Sequence, residues 1–220
     1  MAISRVASTA IANRGSSTSY TISHAGGVCD AAFVFIDRVS AVDVSGVTYA
    51  DTAMTELVVY TDLNGHIHSI WGLQDCLPGT KDFVITAPAS EILRAGAVTY
   101  KGVHRTATFP HASNTGASAL TTVDVSVTTT VDNCVLLGLG SHNGLDATSV
   151  GAGTGTTEVS AADYAGSSDG VYESNPLNTG TAGSKTLQAT VGQNAQDLSL
   201  LVVAIAPNTA VSGVGSPMII

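Results

Sequence analysis

Several side chains in this 220-residue chain have the types and spacing to do chemistry. His66 and His68 alternate across Ile67, so on a strand the two imidazoles share a face, with Asp62 and Asn64 just before them. Two imidazoles at i and i+2 can chelate a transition ion, but a closed site needs further ligands. The pair therefore reads as polar, solvent-facing residues of a hairpin. Ser141 and His142 put a hydroxyl beside a base, yet neighbours on a strand point to opposite faces, so they do not form a nucleophile–base pair. The G-x-S-x-G elbow of α/β-hydrolases is absent from the sequence. Glycoside hydrolysis needs two carboxylates held across a sugar, and nothing in the spacing of Glu56, Glu91, Glu158 and Glu173 pairs them. Gly151, Gly153 and Gly155 lack the strand–loop–helix context of a phosphate cradle and read as a flexible loop. No D-x-[DN]-x-[DN]-G calcium loop is present. Trp71, the one tryptophan, is flanked by Ile70 and Leu73 and reads as core, not as a sugar platform. His104 and His111 flank a loop and indicate no chemistry. The chain thus reads as a non-enzyme with no catalytic set, no cofactor site and no metal centre.

The elements that must position these residues are β-strands. Thr, Val, Tyr and Ile alternate with polar residues at period two, and turn signals recur along the chain. The pattern predicts strands over 17–24, 31–40, 46–49, 55–62, 67–74, 82–87, 92–102, 120–130, 134–141, 186–192 and 198–206. Leu198–Ala206 is apolar on both faces, as a strand covered on each side must be. Asn64-Gly65 suits a type I′ hairpin and Pro78-Gly79 a type II turn. The best candidates for a short helix are Ala87–Leu93 and Val159–Tyr164. Gly140–Gly183 is poor in apolar residues and reads as one long connection, of the kind that is functional or mobile. An antiparallel two-sheet sandwich in a single domain follows, with residues 1–16 as an N-terminal arm, 17–207 as the sandwich and 208–220 as a C-terminal tail.

Composition narrows the function classes. A chain of this length buries roughly 70% of its unfolded surface, enough for a core without staples. Only 11% of the residues are charged and 44% are apolar, which excludes overall disorder. A net charge of −9, with eight Lys plus Arg, lacks the clustered cations that nucleic-acid binding requires. No stretch approaches the roughly 18–20 apolar residues of a membrane helix, and no signal peptide is legible at the start. Cys29, Cys76 and Cys134 are widely spaced and odd in number, and read as free buried thiols in a chain made in a reducing cytoplasm.

The segment Val47-Thr-Tyr-Ala-Asp-Thr-Ala-Met-Thr55, followed by Ile70-Trp-Gly-Leu73, Pro78-Gly-Thr-Lys81 and Ala95-Gly-Ala-Val-Thr-Tyr-Lys-Gly-Val103, resembles a diffuse group of jelly-roll β-sandwich proteins of phages and prophages. Leu200–Pro207 is similar to the last strand of that group, and Asp51 departs from it where glycine is usual. The resemblance implies a non-enzymatic virion surface domain and no transferable catalytic residues. The corresponding expectation is a homotrimeric capsid decoration or cement protein, bound to the major capsid protein or other virion proteins. A tail-fibre or adhesion module that binds host glycans through the 140–183 region is the alternative. Ending a chain on Pro217, Met218, Ile219 and Ile220 is unusual for a free tail, so these residues are the expected assembly contacts. The N-terminal arm is expected to pair with another chain.

Overall fold

The computed structural model describes residues 2–39, 42–105, 109–110, 112–119, 121–143, 149–164, 167–192 and 197–208. These residues form an all-β, antiparallel structure of fifteen strands in three sheets. The first sheet runs β4 (Thr52–Ala53), β3 (Gly46–Tyr49), β7 (Thr80–Lys101), β2 (Ala31–Arg38), β6 (Ile67–Gln74), β5 (Thr55–Thr61), with β1 (Ser4–Ala25) on the other side of β7. The middle sheet runs β12 (Thr156–Tyr164), β13 (Ser167–Ser174), β10 (Val135–Asn143), β15 (Asp197–Ile205), β8 (Ala112–Ser118). The third sheet is β11 (Val150–Ala152), β14 (Gly183–Val191), β9 (Thr122–Thr129).

Three apolar layers alternate with the sheets. Phe33, Phe35, Ile70 and Val98 of the first sheet meet Leu137, Leu139, Val171, Leu201 and Val203 of the middle sheet. Leu136, Tyr172, Leu200 and Val202 on the opposite face of the middle sheet meet Val123, Val125, Leu187 and Ala189 of the third. The first sheet also curls, nearly closed and barrel-like, around a core of its own that includes Val34, Tyr49, Phe83 and Ile85. This arrangement explains the sequence pattern. β2, β10 and β15 are buried at every residue because each carries a core on both faces. β9 has one wet face and alternates strictly, with Val123, Val125 and Val127 inward.

Several expectations change. The sheets number three, not two, because β9, β14 and β11 form a separate layer over the middle sheet. Residues 4–16 are no free arm: they are the first half of β1, which pairs with β7 of the same chain from Ser4↔Lys101 to Ala25↔Thr80. The segments 82–87 and 92–102 are one strand, β7, and the helix candidates Ala87–Leu93 and Val159–Tyr164 both lie in strands. The supposed connection 140–183 contains β11, β12 and β13, so Gly151 belongs to a strand and not to a free loop. The Asp62–His66 hairpin is no type I′ turn. Gly65 N–H donates to Asp62 O at 3.1 Å, and in the hairpin only Gly65 has positive φ, at 82°, as in a type I turn with a bulge. Pro78-Gly79 does turn as expected, with Gly79 at φ 91°. Ala50 and Asp51 take φ of 49° and 64°, in the left-handed region where glycine carries no steric cost.

Cys29 and Cys76 are not free thiols. They form a disulfide with a Cα–Cα distance of 5.8 Å, because the β1–β2 and β6–β7 connections meet at one end of the first sheet. Cys134 is free and buried, and burial pushes its thiol up to about 11. Pro217, Met218, Ile219 and Ile220, with the tail beyond Asn208, lie outside the described residues, as does His111.

Candidate functional site: a polar chamber between the first and middle sheets

The layer between the first and middle sheets changes character along its length. Period-two alternation carries β10 from Leu137 and Leu139 to Ser141 and Asn143 on the same face. It carries β13 from Val171 to Asp169 and Ser167, and β15 from Val203 and Leu201 to Ser199 and Asp197. The registers Asp169↔Ser141↔Ser199 and Ser167↔Asn143↔Asp197 stack these residues into two rows across three strands. The first sheet answers in kind. Asp37 ends β2 beyond Phe35, His68 precedes Ile70 on β6, and Arg94 lies on β7 with Asp37↔Arg94 and Asp37↔His68 in register. The apolar layer thus gives way to a chamber of charged and hydroxyl side chains that are almost fully buried.

Its fixed contacts join both sheets. His68 lies between two carboxylates, Nδ1 2.9 Å from Asp37 Oδ1 and Nε2 3.4 Å from Asp62 Oδ2. Arg94 Nη1 donates to Asp37 Oδ2 at 2.8 Å and reaches Asp169 Oδ2 at 3.4 Å across the sheet interface. Its guanidinium lies 4.2 Å from the centre of the Tyr164 ring. Asn143 Nδ2 donates to Asp62 Oδ2, and Leu63 N–H donates to Asp197 Oδ2 at 2.7 Å, so the β5–β6 hairpin is tied to the middle sheet. Asp62 Oδ1 meanwhile accepts from Asn64 and His66 N–H at 2.9 and 2.8 Å, shaping the hairpin it belongs to.

The electrostatics follow from burial and pairing. Burial penalises the His68 cation, but Asp37 and Asp62 outweigh that and push its pKa up to about 10. Burial likewise opposes ionisation of Asp37 and Asp62. The His68 partner reverses this for both, holding Asp37 below the usual range and Asp62 at about 2. Asp169, buried and facing Asp37, is pushed up to about 8 despite Arg94. Burial, with Asp62 nearby, also raises Asp197. At neutral pH His68 is therefore a cation between Asp37 and Asp62, while Asp169 keeps its proton.

The residues singled out in the sequence fall out as follows. His66 precedes β6 and His68 lies within it, and both turn toward Asp62, with His66 Nδ1 at 3.9 Å. They are not solvent-facing: His68 is fully buried and His66 mostly so. Among the described residues no three His, Cys, Asp or Glu side chains converge as a metal-holding group. Ser141 faces the chamber while His142 points to the opposite layer, as strand geometry requires. The glutamates stay apart from one another: Glu91 pairs with Arg38 at 3.0 Å, and Glu173 with Arg5 at 3.1 Å and Tyr100 Oη at 2.7 Å. Glu56 instead meets Asp43, and burial together with that neighbour raises its pKa to about 7. Trp71 is half-buried against the inner core of the first sheet and donates from Nε1 to Ser69 Oγ at 3.0 Å.

Asp37, Arg94, Asp169 and Asp197 were not legible as site residues. Asp169 sits in Ser-Ser-Asp-Gly, which reads as a loop by composition. The available signal was the abrupt polar ending of strands whose other residues are apolar on both faces, as in Phe35-Ile36-Asp37-Arg38 and Leu139-Gly140-Ser141-His142-Asn143. Comparison of the chain with family models, with curated proteins and with solved structures found no match.

Proposed function

We propose that this protein is a structural component of a phage virion, a decoration or cement protein that binds the head exterior and stabilises the assembled shell. The observation that carries the reading is that the first and last described residues share one hollow. Ala2, Pro207 and Asn208 line one concavity of about 730 Å³ together with Thr130–Asn133 and Asn178. The first and last described residues therefore lie on one face, and Pro217, Met218, Ile219 and Ile220 follow Asn208 in the sequence. A face carrying an open hollow and the root of an apolar tail suits attachment to a neighbouring subunit or to a shell.

Other features agree with this reading. The acid–base side chains of the chamber are enclosed between sheets, where they join layers and meet no bulk substrate. The net charge of −9 suits a basic shell exterior. In this reading the first and middle sheets form the two layers of a jelly-roll sandwich with the third sheet added outside, and the protein assembles as a trimer on the virion. Binding only to the assembled shell stabilises that shell by mass action. The test is to count copies on purified particles by antibody labelling in electron micrographs, with a chain truncated after Asn208 alongside. Dense label over the head that disappears on truncation is the expected result. Label at a tail tip transfers the role to adhesion, and unlabelled particles remove the virion assignment.

A further inference from the structure

Away from the chamber, the curl of the first sheet brings the two halves of β1 together. Thr9 and His24, 15 residues apart, are in contact there, with Thr9 Oγ1 2.8 Å from His24 Nδ1. On the other side of the ring His24 Nε2 is 3.2 Å from Thr99 Oγ1, and the Thr99 hydroxyl donates to Gly26 O at 3.1 Å. These contacts fix the protons. A hydroxyl has one proton and a carbonyl can only accept, so the Thr99 proton lies on Gly26 O and Thr99 Oγ1 accepts from Nε2–H. Nδ1 of the neutral ring is then an acceptor, and the Thr9 hydroxyl donates to it. Burial lowers the His24 pKa from its ordinary 6.5, which keeps the ring neutral at neutral pH.

A hydroxyl on a neutral imidazole whose far nitrogen is oriented by a third group is the arrangement that activates a weak nucleophile. Packing holds the ring as well. It lies edge-on to Phe83, with centroids 5.6 Å apart at 72°. A Cβ at Gly26 would stand 3.2 Å from His24 Cδ2 and 2.8 Å from Tyr49 Oη, so glycine is what lets this carbonyl come close enough to hold Thr99. Access differs between the two partners. His24 is fully buried, whereas Thr9 is half-buried between exposed Ser8 and Ala10. β1 also breaks register just after Thr9, before Ala12, and such a bulge re-aims a side chain. A reagent from solvent therefore reaches the hydroxyl and not the imidazole, and the half-buried position admits only a small group.

We propose that Thr9 is a nucleophile that accepts an acyl group from small activated esters, with His24 as its general base and Thr99 as the positioning residue. In the step, Thr9 Oγ1 bonds to the ester carbonyl carbon and its proton passes to His24 Nδ1. The bond from that carbon to the leaving alcohol oxygen breaks, the alcohol takes the proton from Nδ1, and an O-acyl-threonine ester remains. Water attacking that ester with the same base releases the carboxylic acid and restores Thr9. This inference does not depend on the virion reading, since it concerns β1 and β7 of the isolated chain.

The experiment treats the folded full chain with p-nitrophenyl acetate and locates the acetyl groups by tandem mass spectrometry. Hydroxylamine cleaves an acetyl ester on a hydroxyl and spares the amides formed on Lys81, Lys101 and Lys185. The expected result is a hydroxylamine-labile acetyl group on Thr9, formed ahead of any on Thr21 and Ser23, the exposed hydroxyls of the same strand. Its rate should fall at least about 100-fold in His24→Gln. Thr99→Val keeps the shape and loses the hydroxyl, so it should slow labelling, and Thr99→Ser should restore it. Labelling of Thr9 no faster than that of Thr21 and Ser23 in the unmodified chain overturns the proposal, whether or not the variants fold. An undiminished rate in His24→Gln, or equal rates in Thr99→Val and Thr99→Ser, overturns it as well.

Discussion

Arg94 is the residue on which the chamber turns, because it alone among the described side chains contacts carboxylates of both sheets, Asp37 and Asp169. Replacing it with Met leaves Asp37 without its strongest partner besides His68 and leaves Asp169 beside the Asp37 carboxylate with no cation between them. Removing one partner of a buried pair in this way costs about 3–5 kcal/mol, measured as a shift in the urea midpoint. Adding Asp169→Asn to Arg94→Met should recover part of that loss, and a double variant no more stable than the single one would contradict the assigned contact. His68 sets a pH dependence. Its pKa is raised from 6.5 to about 10, so its contribution is fully present below 6.5 and is lost as pH rises through 10. Asp169, raised from 3.8 to about 8, acts in the same sense, since the unfolded chain gives up that proton first as pH rises. Asp62, lowered from 3.8 to about 2, contributes above 3.8 and loses its effect as pH falls toward 2. The thermal midpoint should therefore peak at about pH 4 and decline toward alkali, through Asp169 first and above 6.5 through His68 as well. In His68→Asn the alkaline decline should be shallower, and an unchanged slope would detach it from His68.

At the scale of the element, β1 and β7 carry the first sheet. Their pairing shifts register at several points, one of them between Thr9 and Ala12, opposite Gly96. A Cβ at Gly96 would stand 2.8 Å from the Ile11 nitrogen and 2.9 Å from its Cα, so only glycine lets β1 lie against β7 there. Gly96→Val should cost about 3 kcal/mol, the upper end of overpacking, with hydrogen exchange rising first along residues 4–16. The Cys29–Cys76 disulfide joins the two connections at the end of the same sheet, across a sequence separation of 47. A loop of that length corresponds to about 4 kcal/mol of stabilisation in the chain-entropy account. Reduction, or Cys29→Ser with Cys76→Ser, should lower the thermal midpoint by several degrees, while Cys134, buried and raised, stays unreactive to alkylating reagents in the folded protein.

For the whole molecule, the three sheets and their three cores form a stack in which Ala2 and Asn208, the first and last described residues, line one hollow. Among the described residues, the exposed aliphatic side chains Val39 and Ile92 adjoin through a 3.3 Å backbone hydrogen bond, and Val28 and Leu77 flank the disulfide. A truncation after Asn208 should leave the thermal midpoint of the isolated chain unchanged, because the described core closes at Pro207 through its bridge with Val103. On the proposed virion role the same truncation should abolish attachment to particles, and loss of both properties together would mean that the tail serves the fold and not assembly.

Period two, turn residues and low charge were enough to determine from the sequence that the chain is β throughout, and they located most strands within a few residues. β6 falls at Ile67–Gln74 and β3 at Gly46–Tyr49, where alternation and flanking Gly and Asn act locally. Sequence patterns failed where burial is polar. β13 reads Ser-Ser-Asp-Gly-Val-Tyr-Glu-Ser and is buried at every residue, yet its polar half looks like a loop to any rule that equates the inside with apolar side chains. Whether Asp169 meets Arg94, whether His68 lies between two carboxylates and whether Cys29 reaches Cys76 depends on pairings 75, 31 or 6, and 47 residues apart. Such contacts are fixed by which sheets stack and in what register. Only the tertiary structure decides that, because the free energy that selects it belongs to the assembled layers and not to any one strand.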